Sequence, residues 1–312
     1  MITEFFQHMA LPAEKWVKRM GYGREAVAMT ARHGRCRDAW ASHLDTCRRL
    51  ITEAAEACPA KDHAVVLGSG PLLDIPLDGL AATFQRVDLV DMVHGRAVRR
   101  MVQAYTNVNL VEADISGVAR AVYRKSPMSE PLGDRPRPPI GMKDKSCAVI
   151  ESVINKVEAM GEHLTSLPDP RPNAGLIEGA DFVVSSNLLS QLPLQPLDWL
   201  AAHCPWADEA MRETLARAIV DHHLALLQSH PGRVVLITEV LRLLAGADVP
   251  VQKIDPLFGA QIMYEGEEWW WEIAPRPEID RNHDLRLRVL GIGDLANAPQ
   301  SRICRNTTLA AP

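Results

Sequence analysis

Residues 64–71 read Ala64-Val-Val-Leu-Gly-Ser-Gly-Pro71, an apolar run that stops in a glycine turn. The run 64–67 has the composition of a parallel strand covered on both faces. Gly68, Ser69 and Gly70 then turn the chain; glycine takes positive φ without steric cost and lets a ligand approach the backbone. Two further strand candidates follow. One spans 86–90 and ends on Asp91; the other spans 108–113 and ends on Asp114. A glycine turn after one strand, and a carboxylate after each of the next two, fit a ligand that contains a nucleoside. The turn backbone would take the ligand's polar tail, Asp91 two ribose hydroxyls, and Asp114 a base amine.

Residues 65–116 resemble the Rossmann-like (class I) methyltransferases that use S-adenosylmethionine. The resemblance is carried by Val-Leu-Gly-Ser-Gly-Pro (66–71), Val-Asp-Leu-Val-Asp-Met (87–92) and Leu-Val-Glu-Ala-Asp-Ile (110–115), in that order and spacing. Ala180-Asp-Phe-Val-Val-Ser-Ser-Asn187 extends it as the family's fourth strand. It implies an α/β three-layer sandwich around a mostly parallel sheet that ends in an antiparallel strand pair. It implies cofactor contacts at Gly68, Ser69, Gly70, Asp91, Met92, Asp114, Ile115 and Asn187, with Met92 and Ile115 as apolar walls for adenine. The chain departs from the family at Val66, where an acidic residue is common.

A dinucleotide is the competing ligand. Its fingerprint wants a third glycine at position 73, where Leu73 stands, and Pro71 removes a backbone donor from a pyrophosphate cradle. S-adenosylmethionine has no phosphate and needs no such cradle. Beyond the fourth strand, Ser186, Asn187 and Gln191 are polar candidates for orienting an acceptor; capping a helix that begins at Leu188 is the ordinary alternative. Glu239, at the end of the fifth strand, is a second catalytic candidate beside Asn187. Asp114 has an alternative as the cap of the third helix.

The remaining sequence frames these motifs. With 312 residues, 47% hydrophobic and 23% charged, the chain is ordinary for a globular α/β protein. A net charge of −5 gives no basic field to recruit nucleic acid. No membrane span and no secretory signal are expected, so the cytoplasm is the default location. The six cysteines, 36, 47, 58, 147, 204 and 304, form no Cys-x-x-Cys pair and read as small buried residues rather than metal ligands. His222-His223 point apart on a helix and do not suit one metal. A homodimer is compatible with the sequence but nothing specifies it.

Residues 1–60 read as a helical cap ahead of the domain 61–312. Trp40, Leu44, Cys47, Ile51, Ala54 and Cys58 make one apolar helix face, and Met20-Gly-Tyr-Gly-Arg24 reads as a turn. Helices are expected at 77–84, 94–105 (apolar stripe Ala97, Met101, Ala104/Tyr105), 117–124, 147–164, 188–200 and 208–229. The last should bury Met211, Leu215, Ala218/Ile219, His222 and Ala225/Leu226. Five prolines mark a loop insertion at 125–145. Strands are expected at 181–185, 233–240, 269–274 and 285–292, with Trp270 facing away from Trp269 and Trp271.

The reading is an S-adenosylmethionine-dependent methyltransferase acting on a small molecule held between Asn187 and the N-terminal helices. The alternatives are an NAD(P)-dependent oxidoreductase and a non-catalytic nucleoside-binding or scaffold protein.

Overall fold

A computed structural model of the chain describes residues 13–126, 166–171, 173–246 and 251–301. Most of the 125–145 insertion, the expected 147–164 helix, Cys147 and Cys304 lie outside the described residues.

Three helices open the described chain: α1 (Lys15–Met20), α2 (Tyr22–Arg35) and α3 (Arg37–Glu56). The alternation then begins with β1 (His63–Leu67), α4 (Leu77–Thr83), β2 (Arg86–Asp91), α5 (Arg96–Met101), β3 (Val108–Glu112) and α6 (Ala119–Lys125). It continues with β4 (Phe182–Ser186), α7 (Leu194–His203), α8 (Glu209–Gln228) and β5 (Arg233–Gly246). The short β6 (Gln252–Ile254), then β7 (Glu267–Ala274) and β8 (His283–Ile292), complete it.

One eight-stranded sheet runs β3-β2-β1-β4-β5-β8-β7, with β6 paired to β5. The first five strands in that order are parallel, and β8 and β7 are antiparallel. This is the three-layer sandwich with a terminal antiparallel pair that the sequence predicts. β1 lies between β2 and β4, in register through Val65↔Asp88 and Val65↔Val183. That central place requires burial on both faces, which explains its continuous apolar run.

The two faces sort by the period of two along each strand. Val66 and Val184 face Trp40, Cys47, Ile51 and Leu80 from α3 and α4. Val65 and Val183 face Val122, Trp199, Leu215 and Ile219 from α6, α7 and α8. The N-terminal helices straddle the carboxyl edge of the sheet between these layers. α1 is held on the α6 side, where Arg19 Nη1 donates to Tyr123 Oη at 2.9 Å. α3 packs on the opposite face, where Trp40 Nε1 donates to the Ile273 carbonyl at 2.9 Å. α2 connects the two.

Several expected details shift. The Met20–Arg24 turn is confined to Gly21, and Tyr22 already begins α2. Gly21 holds φ +98°, a conformation that favours glycine, and so lets the chain turn between α1 and α2. The buried face of α5 is Val98, continued by Val102, and Met101 is 47% exposed, so the Ala97/Met101 stripe is displaced by one residue. The 117–124 helix begins at Ala119 because Gly117 holds φ +68°. The 188–200 helix begins at Leu194, after irregular turns at 188–193. In α8, His223 rather than His222 is buried, with Ala216, Val220 and Leu224 on the inward face. β5 runs to Gly246 because β8 pairs with it well past Val240, through a bulge between Glu239 and Leu241. Cys36, Cys47, Cys58 and Cys204 are buried free thiols. No described helix is long and apolar enough to cross a membrane.

Candidate functional site

The carboxyl ends of β1 to β4 open into one cavity of ≈ 230 Å³. Its floor is the sheet edge; its roof is α2 and the start of α3. Gly68, Ser69, Gly70, Asp91, Met92, Asp114, Ile115, Ser186, Asn187 and Gln191 all line it.

The glycine turn is built by backbone and one carboxylate. Gly68 and Ser69 donate their N–H groups to the Val90 carbonyl at 2.9 and 3.1 Å, and Gly70 donates to Asp91 Oδ2 at 2.7 Å. Gly68 and Gly70 hold φ +71° and +50°, a region open to glycine. A Cβ on Gly68 would meet Leu188 at 2.8 Å; one on Gly70 would meet nothing nearer than 3.9 Å. Gly68 is thus required by packing, while Gly70 leaves room at its backbone.

Asp91 also accepts from backbone N–H groups of Val93, long at 3.4 Å to Oδ1, and of Met92. Burial pushes its pKa up, against backbone donors that lower it. The carboxylate, with about four lone-pair sites in all, keeps some accepting capacity for hydroxyls. Asp114 lines the cavity, and its Oδ1 accepts from Ser116 Oγ at 2.6 Å and Gly117 N–H at 3.2 Å in the turn ahead of α6, whose N-cap residue is Val118. Ser69 Oγ lies 3.2 Å from His94 Nε2 behind the turn.

Asn187 holds φ +51° at the end of β4. It caps no helix at Leu188, since none begins there. Its Nδ2 instead donates to Asp74 Oδ2 at 2.9 Å and lies 3.2 Å from His43 Nε2, so β4 and α3 meet across the cavity. Ser186 Oγ donates to the same Asp74 oxygen at 2.6 Å. Glu239 is a correction. It does not line the cavity; its carboxylate is 7% exposed and is paired with Arg242 and Ser190 Oγ. β5 continues past it to Gly246, so it stands inside the strand and not at its end.

Sequence reasoning missed Tyr22, Trp40, His43, Asp74 and Trp271 as cavity residues. His43 is 1% exposed and stacks on Trp271 at 3.8 Å between ring centroids. Trp269 Nε1 donates to His43 Nδ1 at 3.0 Å. An indole N–H only donates, so the neutral imidazole carries its proton on Nε2, which faces Cys47 Sγ at 3.6 Å. Burial lowers the His43 pKa to about 3. His43 is therefore a neutral, fixed donor and not a free base. Burial, with Asp114 and Asp91 nearby, pushes the Tyr22 phenol well above its usual pKa. Trp40 is marked in the sequence only by helical periodicity and Trp271 only by its place in a strand, both of which read equally as core; Tyr22, His43 and Asp74 carry no motif.

No family model matches the chain, and no curated protein matches it. Solved structures do. One is a 1,6-didemethyltoxoflavin-N1-methyltransferase from Burkholderia thailandensis with bound S-adenosylhomocysteine, at 12% identity and TM-score 0.32, covering 85% of this chain and 86% of that one. Another is the N-methyltransferase NodS from Bradyrhizobium japonicum with S-adenosylhomocysteine, at 12% identity and TM-score 0.31, covering 80% and 87%. A third is the glycopeptide N-methyltransferase MtfA with S-adenosylmethionine, at 15% identity and TM-score 0.29, covering 78% and 76%.

Proposed function

We propose that this chain is an S-adenosylmethionine-dependent methyltransferase that acts on a small molecule. The observation that carries the reading is the convergence of the glycine turn, Asp91, Met92, Asp114, Ile115 and Asn187 on one cavity at the carboxyl edge of the sheet. That edge is where open α/β sheets bind ligands.

The residues fit the cofactor. The Asp91 carboxylate would take the ribose diol, Met92 and Ile115 the adenine faces, and the open backbone at Gly70 the methionine part. Among the described residues, four carboxylates and no Lys or Arg line the cavity. A sulfonium suits that field; a pyrophosphate does not, which argues against the oxidoreductase alternative. The cofactor supplies an electrophilic methyl group when bound. The chain's task is to hold the acceptor in line and exclude water. The roof made by α2 and α3 favours a small acceptor over a nucleic acid.

Calorimetric titration and thermal shift with S-adenosylmethionine, S-adenosylhomocysteine, NAD and NADP test the reading. Binding at 100 times Kd stabilises by about 2.7 kcal/mol. Stabilisation by the first two and not by the dinucleotides is expected. Stabilisation by a dinucleotide alone, or by none of them, overturns the proposal.

A further inference from the structure

The acceptor end of the cavity holds a carboxylate that the sequence motifs did not mark. Asp74 lies in the loop after the glycine turn and is aimed by two donors from the end of β4. Ser186 Oγ and Asn187 Nδ2 both donate to Oδ2, at 2.6 and 2.9 Å. Oδ1 receives no hydrogen bond among the described residues. One oxygen is fixed and the other is left for a ligand. Around it, Trp40 and Trp271 meet edge to face with ring centroids 4.9 Å apart, an aromatic wall of the same cavity. Trp271 is 4% exposed, and its indole N–H has no hydrogen-bond partner among the described residues.

We propose, resting on the methyltransferase reading, that Asp74 Oδ1 anchors the N–H of a nitrogen acceptor carried on an aromatic or heteroaromatic body. The charge of the cavity selects against an acidic acceptor, which would meet carboxylates without a lining cation among the described residues. The same residues select nitrogen over oxygen. A hydroxyl must shed its proton as it attacks, which needs a stronger base than the Asp74 carboxylate; His43 Nδ1 is occupied by Trp269, and Tyr22 keeps its proton. A neutral nitrogen attacks through its own lone pair. The N–C bond forms as the S–C bond breaks, the bonding pair stays on sulfur as a thioether, and nitrogen becomes positive. Asp74 stabilises that charge where it develops, then takes the N–H proton on Oδ1 and passes it to water.

Aromatic pairs of one shape and opposite charge test this: tryptamine with indole-3-acetate, and benzylamine with benzoate. Their binding is measured by ligand-observed NMR on the full chain saturated with S-adenosylhomocysteine. The amines are expected to bind more tightly than the acids. Asp74→Asn should weaken amine binding by about 10- to 100-fold, the loss of one charge-assisted hydrogen bond. Affinity for S-adenosylhomocysteine should stay unchanged. Should Asp74→Asn not fold, Ser186→Ala replaces it, with a several-fold loss of amine affinity expected. Acids that bind as well as amines, amines that do not bind, or amine affinity unchanged in the folded variant overturn the inference. A wild-type chain that fails to bind S-adenosylhomocysteine is instead the failure of the methyltransferase reading.

Discussion

Gly68 and Gly70 are two residues apart, yet a side chain at each meets different surroundings. Gly68→Ala would place a methyl 2.8 Å from Leu188 at φ +71°. It should destabilise the fold by about 1–3 kcal/mol, read as a lower Tm, because overpacking and left-handed strain act together. Gly70→Val keeps space around its Cβ and bears only the backbone cost at φ +50°, about 1–2 kcal/mol. Its protein should fold and lose S-adenosylhomocysteine binding; a folded variant that binds normally places the ligand elsewhere. Asp91 couples the turn to the proposed ribose site. Asp91→Ala removes the acceptor for Gly70 N–H as well as the ligand contacts, each charge-assisted bond being worth about 1.5–3 kcal/mol. Asp91→Asn retains an acceptor for the turn. Calorimetry should therefore show weak cofactor binding by Asp91→Asn with little change in Tm. Equal affinity to the wild type would remove Asp91 from the site.

At the scale of elements, α3 joins the roof of the cavity to the sheet. Trp40 is 1% exposed, donates to the Ile273 carbonyl and packs edge-on to Trp271. Trp40→Ala leaves a large void between α3 and β7 and should cost about 3–5 kcal/mol in urea unfolding. A loss below about 1 kcal/mol would mean that the N-terminal helices are not part of the cooperative unit. The contrast with α5 shows what periodicity omits. Ala97/Met101 and Val98/Val102 are both i, i+4 pairs, about 100° apart on the helix. The sequence does not choose between them; the sheet surface accepts the two valines and leaves Met101 outside.

Across the whole molecule, acid stability turns on buried histidines, three of them almost fully enclosed. His43, His94 and His223 are each 1% exposed or less, and burial lowers their pKa to about 3, about 4 and about 4. The unfolded rings titrate near 6.5, so below that pH the unfolded chain binds protons that the folded chain refuses. Stability is therefore full above about 6.5 and falls as pH drops toward the folded values. By pH 5.5 each ring should cost about 1 kcal/mol relative to pH 7. Asp91 acts in the opposite sense: its raised pKa adds stability at low pH that is lost as pH rises through the folded value. Urea midpoints from pH 7.5 to 4.5 should fall steadily below pH 6.5. A flat profile down to pH 5 would show that these rings protonate in place.

The alternation of apolar runs and glycine or carboxylate ends determined the parallel sheet and one end of the cavity. Val65 and Val66 must be buried on opposite faces wherever they pair, and a glycine turn after such a strand is a local feature of a few residues. The other end was decided only in three dimensions. Asp74 stands in a loop with no motif, and becomes a directed carboxylate because Ser186 and Asn187, more than a hundred residues away, end β4 beside it. Glu239 reads as a strand-end residue, but β5 continues to Gly246 because β8 pairs with it, and Glu239 is left mid-strand, paired with Arg242 and outside the cavity lining. Trp40 and Trp271 read as core from their spacing, and they are core; they are also cavity wall, because α3 packs where the strands end. Strand faces follow from backbone periodicity alone, whereas a side chain's role at a site depends on long-range neighbours that no local pattern encodes.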